Sequence, residues 1–181
     1  IIPPYTFIAT ATAVLSANGT PVFADIDPSN YCLNPESVEQ VITDKTKAIL
    51  TVHLGGCPTD MDSMMELAKK RNLIVIEDAS HSHGTRYKGK GVGALGDMGG
   101  YSFQASKNLN CGEGGITLTN NRAFYDRCAA QHNVRRLPSD AVGKVDDIVG
   151  TNFRMTEFQA AILFSQFEHL DEQSNIRDAN G

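Results

Sequence analysis

The sequence lacks features that mark several common functional classes. Its four cysteines form no Cys-x-x-Cys pair, which disfavours a zinc or thioredoxin-type site and favours reduced thiols in the cytoplasm. It has no apolar run of about 18 residues, so we expect no transmembrane helix. Its net charge of −5, with scattered lysines and arginines, disfavours binding to nucleic acid or to a membrane surface.

Two phosphate-binding signatures of nucleotide enzymes are also missing. No Gly-x-x-x-x-Gly-Lys-[Ser/Thr] loop occurs, and the glycine-rich stretch 84–98 does not open a helix. We therefore predict that residues 85–98 form a short hairpin or a long surface loop. A nucleotide-binding domain of either standard type is disfavoured.

The two ends of the chain resemble interior segments. Ile1-Ile2-Pro3-Pro4 is typical of the end of a strand, and residues 176–181 continue a helical pattern. We expect residues 1–181 to be part of a longer protein. Their number is compatible with one domain.

Helical and apolar extended segments alternate along the chain. The patterns predict helices over 8–17, from 35, from 60 to 72, over 121–132 and over 155–173, and strands over 20–26, 47–53, 73–78, 99–103 and 116–119. We expect Thr151 to cap the last helix, whose candidate packing positions are Phe158, Ala161, Ile162, Phe164, Ser165 and Leu170. The alternation predicts an α/β fold, with a mostly parallel sheet between two helical layers.

Polar residues follow three of the predicted strands. His53 precedes a Gly-Gly loop, Asp78 opens the segment Asp78-Ala79-Ser80-His81, and Ser102 begins a stretch that reaches Lys107. Ligands of parallel sheets bind at the carboxyl ends of the strands. We therefore expect these side chains to lie at one edge of the sheet.

Asp78 and Lys107 suggest a specific chemistry. A carboxylate at the end of an apolar strand is costly to bury, so it either caps a loop or binds a cation such as a protonated pyridine. A lysine amine forms a Schiff base with an aldehyde cofactor, and the two together are typical of pyridoxal phosphate enzymes. His81 could contact the cofactor ring or merely bond a loop carbonyl. Ser102 could bind phosphate or be an ordinary strand residue.

Several longer segments resemble one known family, the DegT/StrS sugar aminotransferases, which use pyridoxal phosphate and have the aspartate-aminotransferase fold (fold type I). The resemblance is collinear over nearly the whole chain. It is carried by residues 4–11, 21–27, 52–54, 60–62, 77–81, Gly93, Gly96-Asp97, 102–108, 112–115 and 152–161.

The resemblance implies roles for individual residues. Lys107 matches the lysine that forms the Schiff base and shuttles the proton, and Asp78 matches the partner of the pyridine nitrogen. His81 matches the residue beside the phenolic oxygen of the cofactor. Ser102 matches a phosphate ligand, and Phe7 matches the aromatic residue that stacks on the ring.

The resemblance also implies an assembly and a domain organisation. Asn152 matches a residue that reaches the phosphate of the neighbouring subunit's cofactor, which implies a homodimer with shared active sites. Residues 1–181 would form part of the cofactor-binding large domain. The family's N-terminal phosphate loop and C-terminal small domain would lie outside this chain.

The substrates stay open at this stage. The amino donor would be glutamate or glutamine, and the acceptor a keto sugar, often nucleotide-linked. Gly55-Gly56-Cys57 and Cys111 depart from the usual family pattern near the substrate, and Gln104 and residues 171–173 resemble an aminohydroxybenzoate-forming branch. Amination of a keto-cyclitol is another alternative. A related sugar dehydratase would lack Lys107, and an idle regulatory relative would not need it.

Overall fold

The computed structural model describes residues 1–180, which form two compact units that divide after Tyr101. The first unit contains α1 (Ala9–Ser16), α2 (Pro35–Val41), β1 (Ala48–Val52), α3 (Met61–Arg71), β2 (Ile74–Asp78), β3 (Arg86–Tyr87), β4 (Lys90–Gly91) and β5 (Met98–Ser102), whose last residue begins the second unit. The second unit contains β6 (Gly115–Leu118), α4 (Arg122–His132), α5 (Glu157–Phe167) and α6 (Leu170–Asn180).

The sheet of the first unit is parallel. β2 lies between β1 and β5, with Glu77 opposite Thr51 on one side and opposite Gly99 on the other. The predicted hairpin is also present, because β3 and β4 pair in antiparallel fashion. The expected α/β architecture with a mostly parallel sheet is confirmed.

The core of the first unit consists of apolar side chains from the sheet and its helices. Ile49 of β1 and Val75 of β2 pack with Met61, Met64 and other residues of α3. The buried members of this core are Ala24, Leu33, Val38, Ile49, Met61, Met64, Leu67, Ala68 and Val75. The methionines of α3 therefore fill the core.

Polar residues cap the ends of α2 and α3. The Asn34 side chain accepts the backbone N–H of Glu36 at 2.8 Å, and Asp60 accepts that of Ser63 at 3.3 Å. Asn72 ends α3 in the left-handed conformation, with φ of 54°. These contacts satisfy backbone groups that a helix leaves unpaired at its ends.

The predicted strand over residues 20–26 is wrong. This segment makes only isolated pairings, of Phe23 with Ile2 and of Ile26 with Leu33, and the Phe23 side chain is 54% exposed. The Asp25 side chain accepts the backbone N–H of Ile26 at 2.8 Å, which withdraws that donor from a ladder. Asp27 then begins a turn, so regular pairing does not extend.

The predicted single helix over residues 155–173 is also wrong, as is the cap at Thr151. α5 begins after Thr156, which forms a capping box with Gln159, and α6 begins at Leu170. Of the six candidate packing positions, Leu170 alone is buried, and the Phe158 side chain is 85% exposed. α5 has no buried residue, so packing does not hold residues 155–173 in one continuous helix.

One buried apolar cluster of the second unit is formed by Ala130, Val145 and Ile148. The buried Asp126 of α4 holds the irregular segment 133–150, because its carboxylate accepts the backbone N–H groups of Val142 and Gly143 at 2.8 and 2.7 Å. Among residues 1–180, no helix combines the length and apolar character needed to cross a membrane.

Candidate functional site

Asp78 ends β2 with both carboxylate oxygens held. Oδ2 accepts the Thr10 hydroxyl at 3.2 Å, and Oδ1 accepts the backbone N–H of Ser80 at 3.1 Å. The residue is half-buried. A carboxylate oxygen can accept more than one hydrogen bond, so Asp78 retains capacity for a further donor or cation.

Phe7 and Asp78 are brought together through Thr10. The backbone N–H of Thr10 donates to the Phe7 carbonyl at 3.1 Å, while its hydroxyl contacts Asp78. The Phe7 side chain is 68% exposed. Thr10 thus links the backbone of the exposed Phe7 to the Asp78 carboxylate.

His81 lies in the turn that follows β2. The backbone N–H of Ser82 donates to the Ala79 carbonyl at 2.8 Å and closes this turn, and the Ser82 hydroxyl donates to the His53 carbonyl at 2.7 Å. The His81 side chain is half-buried. The turn therefore fixes the backbone of His81 close to Asp78 and to the end of β1.

The most heavily bonded carboxylate in this region belongs to Glu77, which we did not predict as a site residue. It is fully buried and accepts His53 Nε2 at 2.9 Å and the backbone N–H groups of Gly93, Leu95 and Gly96 at 2.7, 2.7 and 2.6 Å. The sequence signal that could have identified Glu77 is its position as an acidic residue inside an otherwise apolar strand. Its partners come from loops that only the fold brings close.

A neutral His53 satisfies both of its contacts. The backbone N–H of Thr59 donates to Nδ1 at 3.1 Å, so the hydrogen lies on Nε2 and is donated to Glu77. Burial alone would raise the pKa of Glu77, but hydrogen bonds from His53, Gly96 and Gly93 outweigh it and lower that pKa. Glu77 is therefore an ionised, structural carboxylate.

Lys107 lies in a turn of the second unit that is built on Gln104. The backbone N–H of Lys107 donates to the Gln104 carbonyl at 2.9 Å, and the Ser102 hydroxyl accepts the backbone N–H of Gln104 at 3.3 Å. The Asn110 side chain donates to the Lys107 carbonyl at 3.0 Å. Ser102 and Lys107 therefore belong to one ordered turn.

Glycines return the chain from this turn. Phe103 N–H donates to the Gly114 carbonyl at 2.8 Å, and Ala105 N–H donates to the Gly112 carbonyl at 2.7 Å. Gly112 has a φ of 89°, which L side chains rarely adopt. A glycine turn therefore connects Lys107 to β6.

Asn152 lies on a separate segment of the second unit. It is exposed, pairs with Asn133 as an isolated bridge, and accepts the backbone N–H of Arg154 through its side chain at 3.3 Å. Its role at the cofactor phosphate of a neighbouring subunit therefore stays a prediction.

The residues present fit pyridoxal phosphate chemically. Asp78 presents a carboxylate that is already oriented by two donors, which suits a protonated ring nitrogen. Phe7 presents an exposed ring, and Lys107 presents a primary amine from an ordered turn. Within residues 1–180, no cluster of three or more histidine, cysteine or acidic side chains could hold a metal ion.

Comparison with known proteins identifies relatives over the whole chain. The model of the DegT/DnrJ/EryC1/StrS aminotransferase family matches residues 1–181. The GDP-perosamine synthase of Escherichia coli O157:H7 is 42% identical over 95% of this chain and 47% of its own length. The L-glutamine:scyllo-inosose aminotransferase of Streptomyces griseus is 40% identical over 98% of this chain and 44% of its own length.

Solved structures agree with the sequence relatives. The crystal structure of 3-amino-5-hydroxybenzoic acid synthase superposes with a TM-score of 0.90 at 34% identity, over 98% of this chain and 47% of that one. This chain therefore spans about half the length of the proteins that it matches.

Proposed function

Because this chain belongs to the DegT/DnrJ/EryC1/StrS aminotransferase family, we propose that the protein moves an amino group from glutamate or glutamine to a keto sugar, with pyridoxal 5′-phosphate as cofactor. The observation that carries the proposal is the Asp78 carboxylate, held at both oxygens at the carboxyl end of β2. An oriented carboxylate is what a protonated pyridine nitrogen requires.

Each site residue has a defined task in this proposal. Asp78 keeps the ring nitrogen protonated, and Phe7 stacks on the ring. His81 lies beside the phenolic oxygen, and Ser102 binds the phosphate. Lys107 holds the cofactor covalently through Nζ and moves the proton at the reacting carbon. The cofactor, when bound, supplies an electron sink for that proton transfer.

The relatives support two classes of amino acceptor. The Escherichia coli relative is a GDP-perosamine synthase, which favours a nucleotide-linked keto sugar. The Streptomyces griseus relative is an L-glutamine:scyllo-inosose aminotransferase, which favours a keto-cyclitol and glutamine as donor. The aminohydroxybenzoate synthase structure keeps that reaction as a further alternative. We place the nucleotide-linked keto sugar first.

The proposal includes an assembly and a location. We propose a cytoplasmic homodimer, in which Asn152 of one subunit reaches the phosphate of the cofactor in the other. Residues 1–181 would form part of the large, cofactor-binding domain. The family membership of the chain supports this arrangement.

The test uses the full-length protein with pyridoxal 5′-phosphate. It should turn yellow, and borohydride should trap the cofactor on the protein. Lys107→Ala should lose the trapped cofactor, whereas Lys90→Ala, which changes an exposed lysine of β4, should keep it. A full-length protein that never takes up the cofactor would contradict the proposal.

The same protein decides the substrate class. Glutamate and glutamine labelled in the transferred amino group are assayed against nucleotide-linked keto sugars and keto-cyclitols. We expect label in the sugar product, and no transfer by Lys107→Ala. Activity on a keto-cyclitol alone would exclude the nucleotide-sugar assignment.

A further inference from the structure

We propose that Thr10 is a positioning residue for the cofactor, because it ties the Asp78 carboxylate to the turn that carries Phe7. The inference rests on the proposed function, since it assumes that both residues contact pyridoxal phosphate. Thr10 itself need not touch the cofactor. Its hydroxyl bonds Asp78 at 3.2 Å, and its backbone N–H bonds the Phe7 carbonyl at 3.1 Å.

Thr10 occupies an unusual place in its helix. It is the buried residue of α1, with 3% of its surface exposed, while the apolar Leu15 of the same helix is 56% exposed. The side of α1 that packs inward therefore presents a hydroxyl group. A buried hydroxyl is costly unless it is bonded, and Thr10 meets this cost through Asp78 and Thr6.

The hydrogen bonds have a definite direction. The Thr10 hydroxyl has one hydrogen, and an ionised carboxylate only accepts, so Thr10 donates to Asp78. The Thr6 hydroxyl, 2.8 Å from that of Thr10, must then donate to Thr10. The result is a chain of donors from Thr6 through Thr10 to Asp78, in which each bond strengthens the next.

This chain limits the rotation of the carboxylate. Ser80 N–H holds Oδ1 and Thr10 holds Oδ2, so the carboxylate plane is fixed from both sides. Loss of the Thr10 hydroxyl frees Oδ2. The ring nitrogen would then meet a mobile carboxylate, and binding would carry the cost of ordering it.

The experiment compares Thr10→Val with Thr10→Ser in the full-length protein. Valine preserves the shape and removes the hydroxyl, whereas serine preserves the hydroxyl. The dissociation constant of pyridoxal 5′-phosphate should rise about tenfold in Thr10→Val, the effect of losing one hydrogen bond to a charged group, and stay within about twofold in Thr10→Ser. The visible circular dichroism of bound cofactor, which reports ring orientation, should weaken only in Thr10→Val.

Two further variants separate positioning from general stability. Thr12→Val removes an exposed hydroxyl from the same helix and should bind the cofactor like the wild type. In an Asp78→Ala background, Thr10→Val should have no further effect, because Thr10 acts through the carboxylate. Thr6→Val, which leaves Thr10 in place, should weaken binding about twofold and supplies the test if Thr10→Val does not fold.

The outcomes distinguish this inference from the proposed function. A wild-type protein that binds no pyridoxal phosphate would overturn both. Cofactor uptake by the wild type, with Thr10→Val matching Thr12→Val in affinity and circular dichroism, would overturn only the role of Thr10. An equal loss in Thr10→Val and Thr10→Ser would also overturn it, since the hydroxyl would then be irrelevant.

Discussion

Neighbouring acids at the end of β2 have different surroundings. Successive side chains of a strand point to opposite faces, so Glu77 and Asp78 meet different partners. Glu77 is fully buried and accepts four donors, whereas Asp78 is half-buried and accepts two. The hydrogen-bonding capacity of the Glu77 carboxylate is therefore occupied by groups of the fold itself, whereas the Asp78 carboxylate can still accept a ligand.

We predict that Glu77→Gln strongly destabilises the protein. The amide NH₂ of glutamine would face backbone N–H groups, such as that of Gly96, that now donate to a carboxylate oxygen. Leaving buried donors unpaired costs about 3 kcal/mol. The free energy of unfolding in urea at pH 7 measures this loss, and Glu113→Gln, at an exposed position, should change it little.

The acid dependence of stability checks the same residue. The pKa of Glu77 is lowered in the folded state, so its contribution is present above the unfolded pKa of about 4.3 and is lost as the pH falls through the folded pKa. The free energy of unfolding of the wild type should fall across that interval. Glu77→Gln should show a smaller fall, and an equal fall would contradict the assignment.

At the scale of elements, the glycine-rich loop after β4 is held against the sheet by hydrogen bonds. Its backbone donates to Glu77 of β2, and Asp97 accepts the backbone N–H of Val75 at 2.8 Å. The loop also passes over β5, where a side chain at Gly99 would overlap the Gly93 carbonyl. A strand that is covered this closely needs glycine at that position.

We predict that Gly99→Ala is poorly tolerated and that Gly91→Ala is tolerated. An added Cβ at Gly91 meets nothing within 4 Å, whereas at Gly99 it meets backbone that cannot move freely. Gly99→Ala should lower the melting temperature by several degrees, from an overpacking cost of about 1–3 kcal/mol. Thermal unfolding of both variants tests this, and equal melting temperatures would contradict it.

At the scale of the whole molecule, the two units differ in construction. The first has an apolar core formed by its parallel sheet and helices, whereas one buried cluster of the second consists of Ala130, Val145 and Ile148. Large apolar side chains of the second unit are exposed, among them Phe153, Phe158, Phe164 and Phe167. The chain also spans only about half the length of its relatives.

The proposed homodimer predicts complementation between two inactive variants. Lys107→Ala lacks the covalent attachment, and Asn152→Ala lacks the phosphate contact across the interface. Mixed under conditions that exchange subunits, the two full-length variants should regain part of the aminotransferase activity, because one site of the mixed dimer has both residues. Absence of recovery, in mixtures shown by native mass spectrometry to contain mixed dimers, would contradict shared sites.

Local sequence determined the elements with strong local signals. Asn34 and Asp60 cap α2 and α3, and the apolar runs before His53 and at Leu73–Asp78 form parallel strands. These features depend on backbone propensity and on residues within a few positions of each other. The identity of most helices and strands and the α/β fold could therefore be predicted.

Tertiary structure alone decided the remaining features, because their contacts join distant residues. Residues 20–26 have a strand pattern but find no regular partner, and α5 has helical spacing but no buried residue among those described. Thr10 and Asp78 are separated by 68 positions, and no local pattern marks a small hydroxyl in α1 as the partner of an acid in β2. Burial removed water from these groups, and the fold then determined which donor each carboxylate meets.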